Sequence, residues 1–151
     1  MPHEFVLRHR VEFADTDMAG IIHFSSYFRY MEVTEHAFFR SLGFSVASRD
    51  AGIGWPRVDV GCEFRAPLRF EDELDVRLVV VEKKSKSLRY EFHITKVGEE
   101  PLLEVATGRM TVVCVAMDVE MGTMKATRIP EALAVQIDVA PEEILEISET
   151  Q

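Results

Sequence analysis

The stretch that decides the fold is VEFADTDMAGIIHFSSY, which occupies residues 11–27. On its N-terminal side, residues 5–13 mostly alternate apolar and charged positions, and this period of two predicts a β-strand with one buried face. On its C-terminal side, residues 25–42 lack proline and glycine, and their apolar side chains recur at spacings of three, four and seven, which predicts a helix. The stretch therefore joins a strand to a helix through a turn that contains Asp15 and Asp17.

The predicted helix has recognisable ends and an unusual composition. Ser25 or Ser26 is well suited to cap its N-terminus, and Gly43 is placed to end it. Its aromatic side chains include Tyr27, Phe28, Phe38 and Phe39. A helix with so many aromatic residues is expected to be enclosed on several sides.

Four further strands are predicted after the helix. Apolar and polar residues alternate in residues 58–64, 74–80 and 88–94, and a fourth run, residues 102–117, is apolar on both faces towards its end, as in a central strand. The short connections at residues 83–87 and 98–101 suit antiparallel hairpins. One antiparallel sheet and one long hydrophobic helix must cover each other, which predicts a single α+β domain over residues 1–151.

The remaining patterns concern the C-terminal segment and the sheet edges. A short helix is predicted near residues 129–133 with Pro130 in its first turn, and the acidic residues 140–151 are expected to be frayed. The apolar character of both sheet faces and the open edges predict pairing with another subunit.

Composition and charge exclude several classes of protein. The formal net charge of −9 disfavours a nucleic-acid partner, and no apolar run approaches the roughly 20 residues that cross a bilayer. The N-terminal residues do not combine a basic segment with an apolar one, so no signal peptide is predicted. Cys62 and Cys114 are expected to be free thiols in a reducing cytoplasm.

The turn before the helix has the features of a reactive site. A helix N-terminus presents free N–H groups and a partial positive charge, which stabilise a developing oxyanion. A carboxylate a few residues upstream can attack a carbonyl held there or deprotonate a water that attacks it. Gly20 permits the close backbone approach that such a site needs. Aspartates in turns also cap backbone N–H groups without any chemistry, so both interpretations stay open on spacing alone.

The motif resembles that of a known family. Asp15-Thr16-Asp17, two residues, Gly20, an apolar pair, and Tyr27 seven residues after the glycine resemble the signature of the 4-hydroxybenzoyl-CoA thioesterase family, which includes the thioesterases associated with the Tol-Pal envelope system. The resemblance continues through the aromatic helix, through PLRFEDEL at residues 67–74, and through residues 128–130. It implies a hotdog fold, in which the sheet wraps the central helix, a dimer or tetramer with the site at a subunit interface, and hydrolysis of an acyl-CoA thioester.

The resemblance also implies roles for individual residues. Asp17 matches the family's catalytic aspartate, as nucleophile or general base, and the backbone N–H groups of His23 and Phe24 would polarise the thioester carbonyl. Gly20 and Tyr27 would position the substrate, with Tyr27 in a packing rather than acid–base role. Many Tol-Pal-associated members have an aromatic residue followed by histidine where this chain has His23-Phe24, so no side-chain role for His23 is implied.

The implied substrate needs cations for its phosphates, and the basic stretch at residues 82–89 supplies candidates. These are Lys83, Lys84, Lys86 and Arg89. The same stretch also fits a solvated hairpin tip. Coenzyme A would enter as part of the substrate, with no separate cofactor, and no His-Glu-x-x-His spacing or Cys/His cluster predicts a metal.

Rival interpretations remain. Another branch of hotdog thioesterases takes its catalytic carboxylate from the helix, where Glu32 and Glu35 lie. A dehydratase or hydratase would need a histidine with an acidic partner, for which no motif is found. A non-catalytic acyl-thioester binding or scaffold protein, and a thioesterase acting on acyl carrier protein, are further candidates, and the negative charge makes an acidic carrier less attractive.

Overall fold

The alternating segments of the sequence form antiparallel strands around one long helix. The structure is a computed structural model that describes residues 2–47 and 52–149, without the side chains of residues 146–149. Its elements are β1 (Glu4–Arg10), a 3₁₀ turn (Phe13–Asp15), α1 (Phe24–Ser41), β2 (Ile53–Gly54), β3 (Arg57–Phe64), β4 (Glu73–Lys83), β5 (Ser87–Lys96), β6 (Leu103–Val113), β7 (Val115–Asp118), β8 (Thr123–Ala126), α2 (Glu131–Ala134) and α3 (Glu142–Glu149). Among the described residues, no helix has both the length and the hydropathy needed to cross a bilayer.

The main sheet has five strands in the order β1-β4-β5-β6-β3, and every neighbouring pair is antiparallel. Its inner face carries the buried alternate positions, which include Leu74, Val76, Leu78, Tyr90, Phe92 and Ile94. Its outer face carries ion pairs such as Arg8–Asp75 and Arg109–Asp59. The prediction of a sheet that is apolar on both faces was wrong, because the polar residues of each strand share the outer face.

Helix α1 lies against the inner face of the sheet and differs from the predicted 25–42 by one residue at each end. Its cap is His23 rather than Ser25 or Ser26: the His23 Nδ1 accepts the Ser25 N–H at 3.2 Å. Gly43 ends the helix with a φ of +86°, as predicted. Helix and sheet approach closely at Gly108, where an added Cβ would come within 2.6 Å of the Met31 sulfur.

Two predicted strands end earlier than their patterns suggest. β1 ends at Arg10, because the chain turns into the 3₁₀ segment at Phe13. The run 102–117 is broken at Cys114, whose N–H donates to the Lys86 carbonyl at 2.7 Å, and β7 then pairs with β2 and β8 in a separate three-stranded sheet. Buried residues on both sides of the break, Val112 and Val115, hide it from a periodicity argument.

The C-terminal segment is more ordered than predicted. Pro130 caps the short helix α2, so the predicted helix near residues 129–133 is confirmed. The prediction of a frayed segment was wrong for residues 142–149, which form α3, and residues 150 and 151 lie outside the described residues. Glu142 and Glu143 lie in the first turn of α3, where negative charge favours the helix dipole.

Candidate active site

A cavity of about 490 Å³ lies between the N-terminus of α1 and the segment that follows β3. Apolar and aromatic side chains form most of its wall, among them Phe24, Tyr27 and Phe64. Asp17 and Arg65 are charged residues on the same wall. The structure therefore brings Asp17 together with the predicted residues Phe24 and Tyr27, and it adds Phe64 and Arg65, which were not predicted as site residues.

Asp17 is held by a small closed turn. Its N–H donates to the Ile21 carbonyl at 2.9 Å, and Thr16 and Ile22 form a β-bridge across the base of the turn. The Oδ1 atom of Asp17 accepts the Ala19 N–H at 2.8 Å, which fixes the orientation of the carboxylate. No hydrogen-bond partner for its other oxygen, Oδ2, occurs among the described residues. The side chain is exposed, so this oxygen is free to meet a substrate or a water.

Gly20 completes this turn. Its N–H donates to the Asp17 carbonyl at 3.0 Å, and its φ of +78° is a conformation that side-chain-bearing residues avoid. It is not part of the cavity wall as the structure describes it. Its contribution to substrate positioning therefore stays a prediction, and its visible role is to close the turn that carries Asp17.

The N–H groups at the start of α1 have different partners. The His23 N–H donates to the Asp15 carbonyl at 2.7 Å, the Ser26 N–H donates to the His23 carbonyl at 2.9 Å, and the Ser25 N–H donates to the His23 side chain. Phe24 is the first helical residue, and its N–H has no acceptor among the described residues. Of the two predicted carbonyl-polarising groups, the Phe24 N–H is the one available in this conformation.

Tyr27 forms a buried wall of the cavity. It is 3% exposed, and its ring packs against that of Phe64 with centroids 5.2 Å apart. Burial raises the pKa of Tyr27 to about 12, with a smaller contribution from the Cys62 thiol. The hydroxyl therefore stays protonated at neutral pH. This geometry suits packing and positioning, the role that the resemblance implied, rather than acid–base chemistry.

The two acids of the motif differ in exposure: Asp15 is buried and Asp17 is exposed. Asp15 is 1% exposed. Its Oδ2 accepts the Glu12 N–H at 2.9 Å and the Tyr30 hydroxyl at 2.6 Å, and its Oδ1 accepts from the Arg29 guanidinium. An acid three residues after Glu12 is the spacing of a capping box, and that spacing is the sequence signal that marks Asp15 as a structural partner of the turn.

The helix glutamates do not border this cavity. Glu35 is fully buried and binds Arg57, and burial raises its pKa despite that partner. Glu32 is exposed and lies 3.7 Å from the His36 Nε2. At 1.5 Å per residue, Glu35 is about 16 Å along α1 from Phe24. The geometry thus favours Asp17 over both glutamates as the reactive carboxylate.

The predicted phosphate-binding cations lie at the other end of the sheet. Glu73, at the start of β4, pairs with Arg10 beside the Asp17 turn, whereas Lys83 ends the strand about 30 Å away. Lys83 is also engaged in the fold, because its Nζ donates to the Ala134 and Ile137 carbonyls at 2.8 and 2.7 Å. These cations can therefore reach coenzyme A at Asp17 only when a neighbouring subunit supplies them.

The other three cations remain more available. Lys84 and Arg89 lie 3.4 and 3.5 Å from Glu82 in exposed ion pairs. The Lys86 side chain makes no ion pair within the described part of the chain, and it is exposed. Exposed pairs of this kind are weak, so a phosphate can compete for the lysines.

Comparison with known proteins identifies the class. A family model described as the thioesterase-like superfamily matches residues 11–137, and the chain belongs to that superfamily. A gentisyl-coenzyme A thioesterase of known structure is 32% identical, with a TM-score of 0.75 over 89% of this chain and 100% of that one. A protein of Aquifex aeolicus (strain VF5) described as an esterase is 36% identical over 93 residues, which are 61% of this chain and 73% of that protein.

A more distant structure supports the fold alone. The 4-hydroxybenzoyl CoA thioesterase from Pseudomonas sp. strain CBS-3 is 21% identical, with a TM-score of 0.78 over 89% of this chain and 99% of that chain. The family model and the gentisyl-coenzyme A thioesterase confirm the predicted family resemblance and the enzyme class, a thioester hydrolase. All of these likenesses confirm the hotdog fold.

Proposed function

We propose that this protein hydrolyses acyl-CoA thioesters to the free acid and coenzyme A at the cavity beside α1. One observation carries the proposal: Asp17 and Phe24, the residue with the free backbone N–H at the start of α1, line the same cavity. A thioesterase needs a group that attacks or activates water and a donor that stabilises the carbonyl oxygen as it becomes negative. The cavity offers both from two segments of one turn-helix unit.

The proposed reaction places the thioester carbonyl oxygen at the Phe24 N–H. The positive end of the α1 dipole adds to that donor, and one such donor is typically worth about 100- to 1,000-fold in rate. Asp17 then acts in one of two ways. Its Oδ2 attacks the carbonyl carbon, the coenzyme A thiolate leaves, and water hydrolyses the mixed anhydride; or it takes a proton from a water that attacks the carbonyl directly. No cofactor apart from the coenzyme A of the substrate is required by either route.

The cavity wall supports an apolar acyl group, and aromatic acyl groups are the first to test. The rings of Phe24, Tyr27 and Phe64 surround the space next to Asp17, and aromatic rings favour stacking with a flat acyl group. The related thioesterase named above acts, by its name, on gentisyl-coenzyme A. Straight-chain acyl groups fit the same apolar wall less specifically.

The proposal includes a homo-oligomer. β3 is an edge strand that pairs only with β6 among the described strands; its Val58 and Phe64 are exposed, and Phe64 lines the cavity. A second copy placed along β3 would cover this apolar edge and close the cavity. We also place the enzyme in the cytoplasm, where acyl-CoA substrates are made and where Cys62 and Cys114, both free, would stay reduced.

The test is thiol release from aromatic and straight-chain acyl-CoAs, with the Asp17→Asn variant as the blank for each substrate. Turnover above the blank on some member of the panel supports the proposal and defines the acyl group. No turnover on any member, together with stoichiometric acyl-CoA binding, contradicts it in favour of a binding protein. Turnover of acyl carrier protein thioesters alone would change the carrier and keep the chemistry.

A further inference from the structure

Asp15 connects the two halves of the proposed site. Asp17 follows it by two residues in the same turn. On the other side, the Asp15 carbonyl accepts the His23 N–H at 2.7 Å and the Ser26 hydroxyl at 3.0 Å, and these residues flank Phe24 at the start of α1. The backbone of Asp15 therefore joins the segment that carries the carboxylate to the segment that carries the N–H donor.

The Asp15 side chain makes this connection rigid. Both carboxylate oxygens are used, one by the Arg29 guanidinium and the other by the Tyr30 hydroxyl and the Glu12 N–H. Arg29 and Tyr30 belong to α1, whereas Glu12 belongs to the chain before the turn. A planar group held on both oxygens cannot rotate without breaking a charge-assisted hydrogen bond, so the turn and the helix share one fixed orientation.

We propose that Asp15 is a positioning residue for the hydrolysis: its buried carboxylate, locked to Arg29 and Tyr30, sets the separation of the Asp17 carboxylate and the Phe24 N–H. The inference rests on the proposed function. Reactions that depend on two groups meeting one carbonyl are sensitive to small displacements, and a misplacement of about 1 Å typically costs about 100-fold. Asp15 itself is too deeply buried to touch the substrate.

A buried carboxylate on α1 itself provides the matched control. Glu35 is fully buried, binds Arg57, and has the Tyr90 hydroxyl nearby, yet it bonds to no residue of the Asp17 turn. Glu35→Gln and Asp15→Asn make the same chemical change in similar surroundings. A purely structural role predicts the same consequences for both variants.

The first readout separates kcat from KM in folded Asp15→Asn and Glu35→Gln. We expect kcat to fall by about 30- to 100-fold in Asp15→Asn, with KM within about three-fold, because the cavity wall is unchanged. Glu35→Gln should keep kcat within about two-fold. Tyr30→Phe and Arg29→Lys, which each weaken one bond to Asp15, should lose about three- to ten-fold. Equal kcat values for Asp15→Asn and Glu35→Gln would overturn the inference.

The second readout does not need turnover. Backbone hydrogen exchange of residues 16–24 should accelerate in Asp15→Asn relative to both wild type and Glu35→Gln, and unchanged exchange there would also overturn the inference. If Asp15→Asn does not fold, Tyr30→Phe and Arg29→Lys carry both readouts, and wild-type behaviour in both contradicts the inference. If the wild type is inactive, the proposed function is contradicted. The hydrogen-exchange comparison still tests whether Asp15 fixes the turn and the start of α1. If Asp15→Asn keeps the wild-type kcat while Asp17→Asn is inactive, the inference about Asp15 is contradicted and the proposed function is not.

Discussion

Two buried carboxylates that pack at helix α1 are held in different ways. Near its N-terminus, Asp15 is buried against Arg29 and Tyr30, and each carboxylate oxygen has hydrogen-bond donors. Further along, Glu35 is buried against Arg57, with one carboxylate oxygen unpartnered. The cavity wall includes the exposed Asp17, two residues after Asp15, and it does not include Glu35 or Arg57.

A buried charge is therefore not by itself a reactive group. At the second cluster the Tyr90 hydroxyl lies near Glu35 without hydrogen-bond geometry, and burial raises the pKa values of both groups. Such a perturbed pair would attract attention in a search for a catalytic acid. The pair does not border the cavity beside α1, whereas the less conspicuous Asp17 lies on the wall of that cavity together with Phe24 and apolar residues.

The largest expected effect is that of a substitution at Asp17, beside the N-terminus of α1. Asp17→Asn should lower kcat by at least about 100-fold, because an amide neither attacks the thioester nor accepts a proton from water. The melting temperature should stay at the wild-type value, since asparagine preserves the hydrogen bond from the Ala19 N–H.

A second exposed turn aspartate provides the control for that variant. Asp118, in the hairpin between β7 and β8, accepts the Glu120 and Met121 N–H groups at 3.1 Å each. Asp118→Asn should keep full activity. Retained activity in Asp17→Asn, or an equal loss in both variants, would refute the assignment of Asp17.

A smaller effect is expected at the far end of the sheet. Changing Lys84 and Lys86 together to alanine should raise KM for acyl-CoA by about three- to ten-fold, since exposed charges contribute modestly to binding. Lys83 is left in place because it anchors the segment after α2. KM for a pantetheine thioester, which lacks the nucleotide phosphates, should not change. Equal increases for both substrates would show that these lysines lie away from the phosphates.

The smallest effect concerns the outer face of the sheet and folding rather than catalysis. Hydrogen bonding to Glu91 and Glu104 raises the pKa of His93 in the folded protein. This contribution to stability is therefore complete below the ordinary histidine value of about 6.5, and it disappears as pH rises through the raised pKa. Urea unfolding at about pH 6 and pH 8 should show a larger loss of stability for wild type than for His93→Gln. The same loss of stability in wild type and His93→Gln would contradict this role of His93.

The sequence was sufficient for the parts of the fold that depend on local periodicity. The strand-turn-helix order around residues 11–27 and the end of α1 at Gly43 are confirmed. The helix cap could not be predicted, because Ser25 and Ser26 are better intrinsic caps than His23, and the choice depends on the hydrogen bond from the His23 N–H to the Asp15 carbonyl. The break at Cys114 escaped because buried residues lie on both sides of it, so that the apolar pattern continues through the break.

The motif of the candidate site was predictable from the sequence, but the separate roles of its residues were not. Asp15 and Asp17 belong to the same turn, and the contacts of Asp15 with Arg29 and Tyr30, brought in by the packing of α1, separate the buried acid from the exposed one. The engagement of the His23 N–H and the anchoring of Lys83 likewise depend on partners that no local pattern reveals. Residue types and spacings indicate which chemistry is present, and tertiary contacts decide which group is free to perform it.

The most direct test of the active-site assignment is to remove the Phe24 N–H while keeping the helix. Phe24→Pro deletes this donor at the first helical position, where proline is favoured, and the extended backbone of His23 suits a residue before proline. Phe24→Ala removes the same ring and retains the N–H. We expect kcat of Phe24→Pro to lie about 100-fold below that of Phe24→Ala, with equal helix content. Equal kcat values in the two variants would show that this helix N-terminus does not polarise the thioester.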